Sequence, residues 1–182
     1  MTKARDLSVG IPNGLVLIKP TGATNGTVND SGTVTIGSAV SSVTVAGAFS
    51  ATYDAYKIIL LGGTGTNNKS IAMQIGAATT GYYWTMPHES YSGGGGVVRR
   101  NNVTNFNYIG NSQTAQLSVT CEVLNPFQST NTLINAFFVD PAISGVTVGF
   151  LNNSTSYTAF TLISEAASTF TGGTIRVYGY RK

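Results

Sequence analysis

Charge is scarce in this chain: Asp, Glu, Lys and Arg make up 9% of its 182 residues, against roughly 25% in an ordinary soluble domain. Ten Lys and Arg against seven Asp and Glu leave a net charge of +3. The basic residues are scattered, with Arg99-Arg100 and Arg181-Lys182 the only adjacent pairs, so no basic stripe forms and nucleic acid is not an expected partner. A single cysteine, Cys121, rules out an internal disulfide framework. It shares a period-two face with Leu117 and Val119 and reads as a small core residue.

The single histidine, His88, falls on a different expected element from Cys121, and no G-x-S-x-G is present. Asp6, Asp30, Asp54, Glu89, Glu122, Asp140 and Glu165 stand isolated from one another, with no obvious glycosidase pair. The expectation is therefore a protein that is not an enzyme, with no metal site and no cofactor. "SGGGG" and "LGGTGTNNKS" do not match the phosphate-loop pattern and are expected to be hairpin turns. No apolar run approaches a membrane span, so no membrane partner is expected. "MTKARDLSVG" has no apolar segment of signal-peptide length, which predicts a product made in a cytoplasm.

Helical periodicity is missing as well, whereas β-branched and aromatic runs are abundant. "TVTI", "VTV", "AYKIILL", "SIAMQI", "FNYIG", "AQLSVTCEVL", "TLINAFFV", "VTVGFL", "YTAFTLI" and "TIRVYGY" are separated by Gly, Asn, Ser and Pro. That spacing predicts strands returning antiparallel to their neighbours, an all-β, jelly-roll-like antiparallel sandwich. In "AQLSVTCEVL" the odd positions from Ala115 to Val123 are apolar and the even ones polar, which assigns one face to core and one to water. The final "TIRVYGYRK" reads as a strand that closes the sheet.

Two segments depart from this pattern. Residues 1–32 carry one short apolar patch, Leu15, Val16, Leu17 and Ile18, between Pro12 and Pro20, followed by a Gly/Thr/Asn-rich run. They read as an extended N-terminal arm ahead of a sandwich domain at 33–182, with those four aliphatic residues anchoring it to a partner. Residues 79–102 hold Tyr82, Tyr83, Trp84, His88, Tyr91, four consecutive glycines and Arg99. An exposed loop at one end of the sandwich is expected here. Aromatic platforms beside imidazole and guanidinium donors suit the apolar face and hydroxyl rim of a host glycan. The plainer reading, that Tyr83 and Trp84 pack over the end of the sandwich, is favoured residue by residue.

"AFSATYDAYKIILLGG", "AMQIGAATTGYYW", "NNSTSYTAF" and "GGTIRVYGYRK" together resemble the small β-sandwich modules of tailed-bacteriophage virion structural proteins, notably those of marine phages. "MTKARDL" is similar to the start of several phage fibre and virion proteins. The resemblance covers about residues 33–182. It implies a virion component, first a capsid decoration or cement protein docked through its N-terminal arm. The partners then expected are the major capsid protein, or else tail proteins, with the chain a homotrimer at a local symmetry axis. The alternative it implies is a tail-fibre or receptor-binding module recognising host-surface glycans.

Overall fold

A computed structural model describes residues 14–181. Among them the β-branched and aromatic runs form seventeen strands and no helix. The first four are short: β1 (Leu15–Ile18), β2 (Gly22–Thr24), β3 (Gly26–Val28) and β4 (Val34–Ile36). Next come β5 (Ser42–Ala46), β6 (Ala55–Gly62), β7 (Thr64–Gly65) and β8 (Lys69–Ile75). A long hairpin, β9 (Tyr82–Ser90) and β10 (Gly95–Val103), precedes β11 (Phe106–Ser112) and β12 (Leu117–Leu124). β13 (Thr132–Val139), β14 (Ile143–Leu151), β15 (Phe160–Ser164), β16 (Phe170–Thr171) and β17 (Thr174–Tyr180) complete the order.

All pairings are antiparallel, and fifteen strands belong to one hydrogen-bonded network. It folds into two layers because β12 has a divided edge. One edge of β12 pairs along its length with β6, from Leu117↔Gly62 to Leu124↔Ala55. On the other edge Leu117 to Val119 pair with β11, while Thr120 to Leu124 pair with β13. The larger layer therefore runs β10-β9-β14-β13-β12-β6-β17, and the smaller β11-β8-β15-β5-β2. This is the all-β antiparallel sandwich that the alternating runs predict.

Between the layers, inward residues alternate with outward ones as the pleat requires. Tyr56, Ile58 and Leu60 of β6, Val119, Cys121 and Val123 of β12, and Ile175 and Val177 of β17 are buried in one core cluster with Val43, Val45, Ile71, Met73, Ile75, Phe160 and Leu162. Phe49 joins the layers, with ring centroids 4.8 Å from Tyr56 and 5.7 Å from Phe160. The Tyr56 hydroxyl is itself held in the core, donating to Ser50 O and accepting from Ser50 N, both at 2.8 Å. A second part of the core lies under β9, where Tyr82 meets Phe106 at 4.8 Å and Tyr108 meets Phe138 at 5.2 Å, both edge to face.

Of the expected arm, residues 1–13 lie outside the described residues. The remainder is extended but lies on its own sandwich. β1 pairs with β17 over Leu15↔Tyr180 to Ile18↔Val177, β2 with β5, and β3 with β4. The partner of "LVLI" is thus the last strand of the same chain. β17 in turn lies between β6 on one side and β1 and β4 on the other.

The exposed loop expected within residues 79–102 is not a loop from Tyr82 to Ser90. "YYWTMPHES" forms β9, paired to β14 on one side and β10 on the other. Tertiary pairing outweighed the glycine and proline signals. Gly93 and Gly94 sit in a tight turn, where Ser90 N donates to Gly94 O and the two glycines take φ of 96° and 84°, while Gly95 and Gly96 open β10.

Gly110 stands where β11 leaves β12, and a Cβ built there would lie 2.2 Å from Ser118 O and 2.5 Å from Val119 Cγ2. Gly110→Ala is expected to lower stability by about 1–3 kcal/mol in urea unfolding, because backbone has to move. Gly22→Ala, with nothing within 4 Å of the added carbon, is expected to shift stability by no more than about 0.5 kcal/mol.

Candidate functional site

The period of two divides the sequence-predicted aromatic cluster between the two faces of β9. Tyr82 and Trp84 point inward and are buried. The Tyr82 hydroxyl accepts from Ile75 N at 2.9 Å and donates to Ala78 O at 3.1 Å, and burial pushes its pKa up to about 12. Trp84 Nε1 donates to Asn105 O at 3.0 Å. Both are core residues whose polar atoms have protein partners.

The remaining predicted residues are dispersed. His88 is half-buried, its Nδ1 3.5 Å from Met86 O. Tyr91 is exposed in the β9–β10 turn, eight residues from Tyr83, which is roughly 25 Å along a strand. Tyr83 points outward and stacks on Phe150 of β14 with centroids 5.0 Å apart and planes 4° from parallel. Arg99 is paired with Thr85 on that same outer face. A shallow depression of about 450 Å³ opens beside Tyr83, Thr85, Leu133, Val148 and Phe150, with Arg100 also lining it. Of the predicted glycan residues, Tyr83 and Trp84 line this depression together, and Tyr82, His88, Tyr91 and Arg99 do not line it. The Arg100 guanidinium lies 5.8 Å from the Trp84 ring centroid.

The expected anchor is divided in the same way. Leu15 and Leu17 are exposed on the outer face, in register with Tyr180 and Tyr178, while Val16 and Ile18 turn inward and Ile18 packs on the core. Two of the four aliphatic residues are thus available to a partner, because consecutive strand residues face opposite ways.

That outer face is the most distinctive surface of the molecule. Leu124 is opposite Leu133, Leu133 opposite Phe150, and Phe150 opposite Tyr83, an apolar row across β12, β13, β14 and β9. Parallel to it run Asn135, Val148 and Thr85, then Thr120, Phe137 and Val146. Ten large hydrophobic side chains are exposed among the described residues. By strand register, all but Tyr91 lie on this one face, Phe137 at 58% exposure and Val139 at 53%. The outward side of the smaller layer is hydroxyl-rich instead, with Thr44 and Thr161 in contact at 2.9 Å between their Oγ1 atoms. Exposed apolar patches of this extent mark interaction sites. Sequence reasoning missed Leu133, Phe137, Val148 and Phe150. The available signal was "TLINAFFV" and "VTVGFL", strands apolar on both alternations although only one side meets the core.

Charge on this face sits at Glu122 of β12, Lys57 of β6 and Arg176 of β17, beside the apolar rows of β13 and β14. The Tyr180 hydroxyl donates to the Glu122 carboxylate, and Glu122 is paired with Lys57. This hydrogen bond, with burial second, pushes the Tyr180 pKa up to about 12. Cys121, fully buried, has its thiol pushed up by desolvation and stays protonated. No group of three or more His, Cys, Asp or Glu able to hold a metal occurs among the described residues.

No family model and no curated protein matches the sequence. Solved structures with some likeness include a family two carbohydrate esterase from Cellvibrio japonicus, with 10% identity and TM-score 0.17 over 93% of this chain and 34% of that one. Another is the CBM22-1-GH10 part of the Clostridium thermocellum xylanase 10B complexed with xylohexaose, with 11% identity and TM-score 0.17 over 91% and 25%. The chain spans about a third or less of the length of these two proteins. Likenesses at such TM-scores assign no function.

Two outcomes are expected. Trp84→Ala should cost about 3–5 kcal/mol of stability by leaving a cavity, whereas Tyr91→Ala should stay within about 0.5 kcal/mol, both read by chemical denaturation. The Tyr180 phenol, with its folded-state pKa raised above its unfolded value near 10, contributes stability that is fully present below pH 10 and lost as pH rises to about 12. The stability difference between the unmodified chain and Tyr180→Phe should accordingly shrink across that window.

Proposed function

We propose that this chain is a non-enzymatic assembly protein, a tailed-bacteriophage virion component that decorates or cements the capsid by docking on neighbouring protein subunits. The observation that carries this reading is the set of exposed apolar side chains on the outer face of the larger layer, Leu15 and Leu17 on β1 and Leu133, Phe137, Val139 and Val148 on β13 and β14. Burial of such a face against protein is favourable by roughly 25 cal/mol per Å² of apolar area. The resemblance of "AFSATYDAYKIILLGG" and "GGTIRVYGYRK" to phage sandwich modules supplies the virion context. The major capsid protein is the first candidate partner, tail proteins the second, with synthesis in the host cytoplasm.

The second reading, a tail-fibre or receptor-binding module for host glycans, has one supporting feature, the depression beside the stacked Tyr83 and Phe150. Those rings cover each other's faces, and the lining offers few polar groups to a sugar rim, so the assembly reading is preferred.

Co-sedimentation with virions that lack the protein tests the assignment. The unmodified chain is expected to pellet with particles, and Leu15→Asp/Leu17→Asp, with both changes on exposed positions, to remain in the supernatant while keeping its far-UV circular dichroism. Full incorporation of that variant would remove β1 from the docking surface. Failure of the unmodified chain to bind any such particle would remove the virion reading.

A further inference from the structure

We infer that Lys57, Arg176 and Tyr178 form a carboxylate-binding site within the outer face of the larger layer, and that the protein docking there presents an acidic side chain set among apolar ones. The inference rests on the reading of this face as an assembly surface and names the chemistry of its partner.

Strand register places the three groups together. Tyr178 of β17 is opposite Lys57 of β6, and Arg176 is opposite Ile59, two residues along β6 on the same side. Lys57 and Arg176 are therefore diagonal neighbours, about 7–8 Å apart at their Cα atoms, and one group lying between them is within reach of both long side chains. Burial distinguishes the same pair. Among the described Lys and Arg side chains these two are half-buried, whereas Lys19, Lys69, Arg99, Arg100 and Arg181 are exposed.

None of the three has an acceptor within the described chain. The one ion pair among the described residues joins Lys19 to Asp30 at 3.5 Å. Glu122 is opposite Lys57 across β6 and β12 but lies outside ion-pair distance of it, and its carboxylate accepts the Tyr180 hydroxyl instead. Water satisfies the three donors while the face is open. A partner that covers the face removes that water, and a half-buried charge left without a counter-charge is costly. The partner therefore has to bring negative charge to this point, where two cations and a phenol converge on it.

The surroundings of the pair select a carboxylate carried by a protein. Leu17 is opposite Tyr178 on one side, and on the other Ile59 is followed across the sheet by Thr120 and Phe137, with Leu61 two residues further along β6. Leu17, Leu61 and Phe137 are exposed. A nucleic-acid backbone repeats its charge and calls for a row of cations, whereas here the two cations stand between apolar side chains. An acidic residue flanked by aliphatic ones matches that order, its carboxylate meeting Lys57 and Arg176 and its neighbours meeting Leu17 and Leu61.

The test uses a defined probe and the particle separately. In heteronuclear NMR spectra of the full chain, acetyl-Leu-Glu-Val-amide at millimolar concentration is expected to shift the amide signals of Lys57, Ile59, Arg176 and Tyr178. Acetyl-Leu-Gln-Val-amide, which has the same shape without the charge, should bind at least about fivefold more weakly. Lys57→Met/Arg176→Met, which keeps the aliphatic stems, should abolish that preference, and Lys69→Met, at an exposed cation of the smaller layer, should retain it. In co-sedimentation with virions that lack the protein, Lys57→Glu/Arg176→Glu should weaken binding about a hundredfold while keeping its far-UV circular dichroism. No shift with the glutamate peptide, equal binding of the two peptides, binding of inorganic phosphate as tight as that of the glutamate peptide, or full particle binding by the charge-reversed chain would overturn the inference. A glutamate-selective site in a chain that binds no particle would keep the site and remove the virion reading.

Discussion

The divided edge of β12 is the constraint on which the other contacts depend. A strand has two edges, and here one of them serves two neighbours in succession, β11 for Leu117 to Val119 and β13 for Thr120 to Leu124. Beyond that point the sheet has to separate into layers, and the separated strands stay tied across the gap. Asn111 Nδ2 donates to Val139 O at 3.1 Å and Thr147 Oγ1 to Tyr108 O at 2.8 Å. Gly110 is required there because β11 approaches the β12 backbone too closely for any side chain. The two layers thus belong to one hydrogen-bonded network, and the core between them is continuous.

From that branch follows an asymmetry between the two outer surfaces. Hydroxyl side chains such as Thr44 and Thr161 cover the smaller layer, while the larger layer presents leucine, valine and phenylalanine to its surroundings. Low charge and high hydrophobic content, averaged along a sequence, give no hint that the two are segregated. In the fold they are: nearly all the exposed large hydrophobic side chains among the described residues stand on one side of the molecule.

Legibility differed from element to element. "AQLSVTCEVL" shows its inward and outward sides directly, and Cys121 lies on the inward one. The closing strand was legible for the same reason. The aromatic run at Tyr82 to Trp84 was misjudged, since Pro87 and the glycines that follow Ser92 weigh toward a loop in any local reading, whereas pairing with β14 and β10 makes a strand. The patch at Leu15 to Ile18 stands out in the sequence, but its neighbour does not. Its cover on one side is β17, more than a hundred and fifty residues away in sequence.

Period two and turn chemistry alone determined that this chain is an antiparallel all-β protein, because alternation and punctuation are local properties that survive in any arrangement of the strands. Which alternation faces core, and whether an apolar outward side meets a layer, a partner or water, was decided by tertiary structure. Leu133 and Ile134 are equally apolar as letters in a sequence. One is exposed and the other buried only because β12 shares its edge, carries β11 away to form the second layer, and leaves β13 with a core on one side.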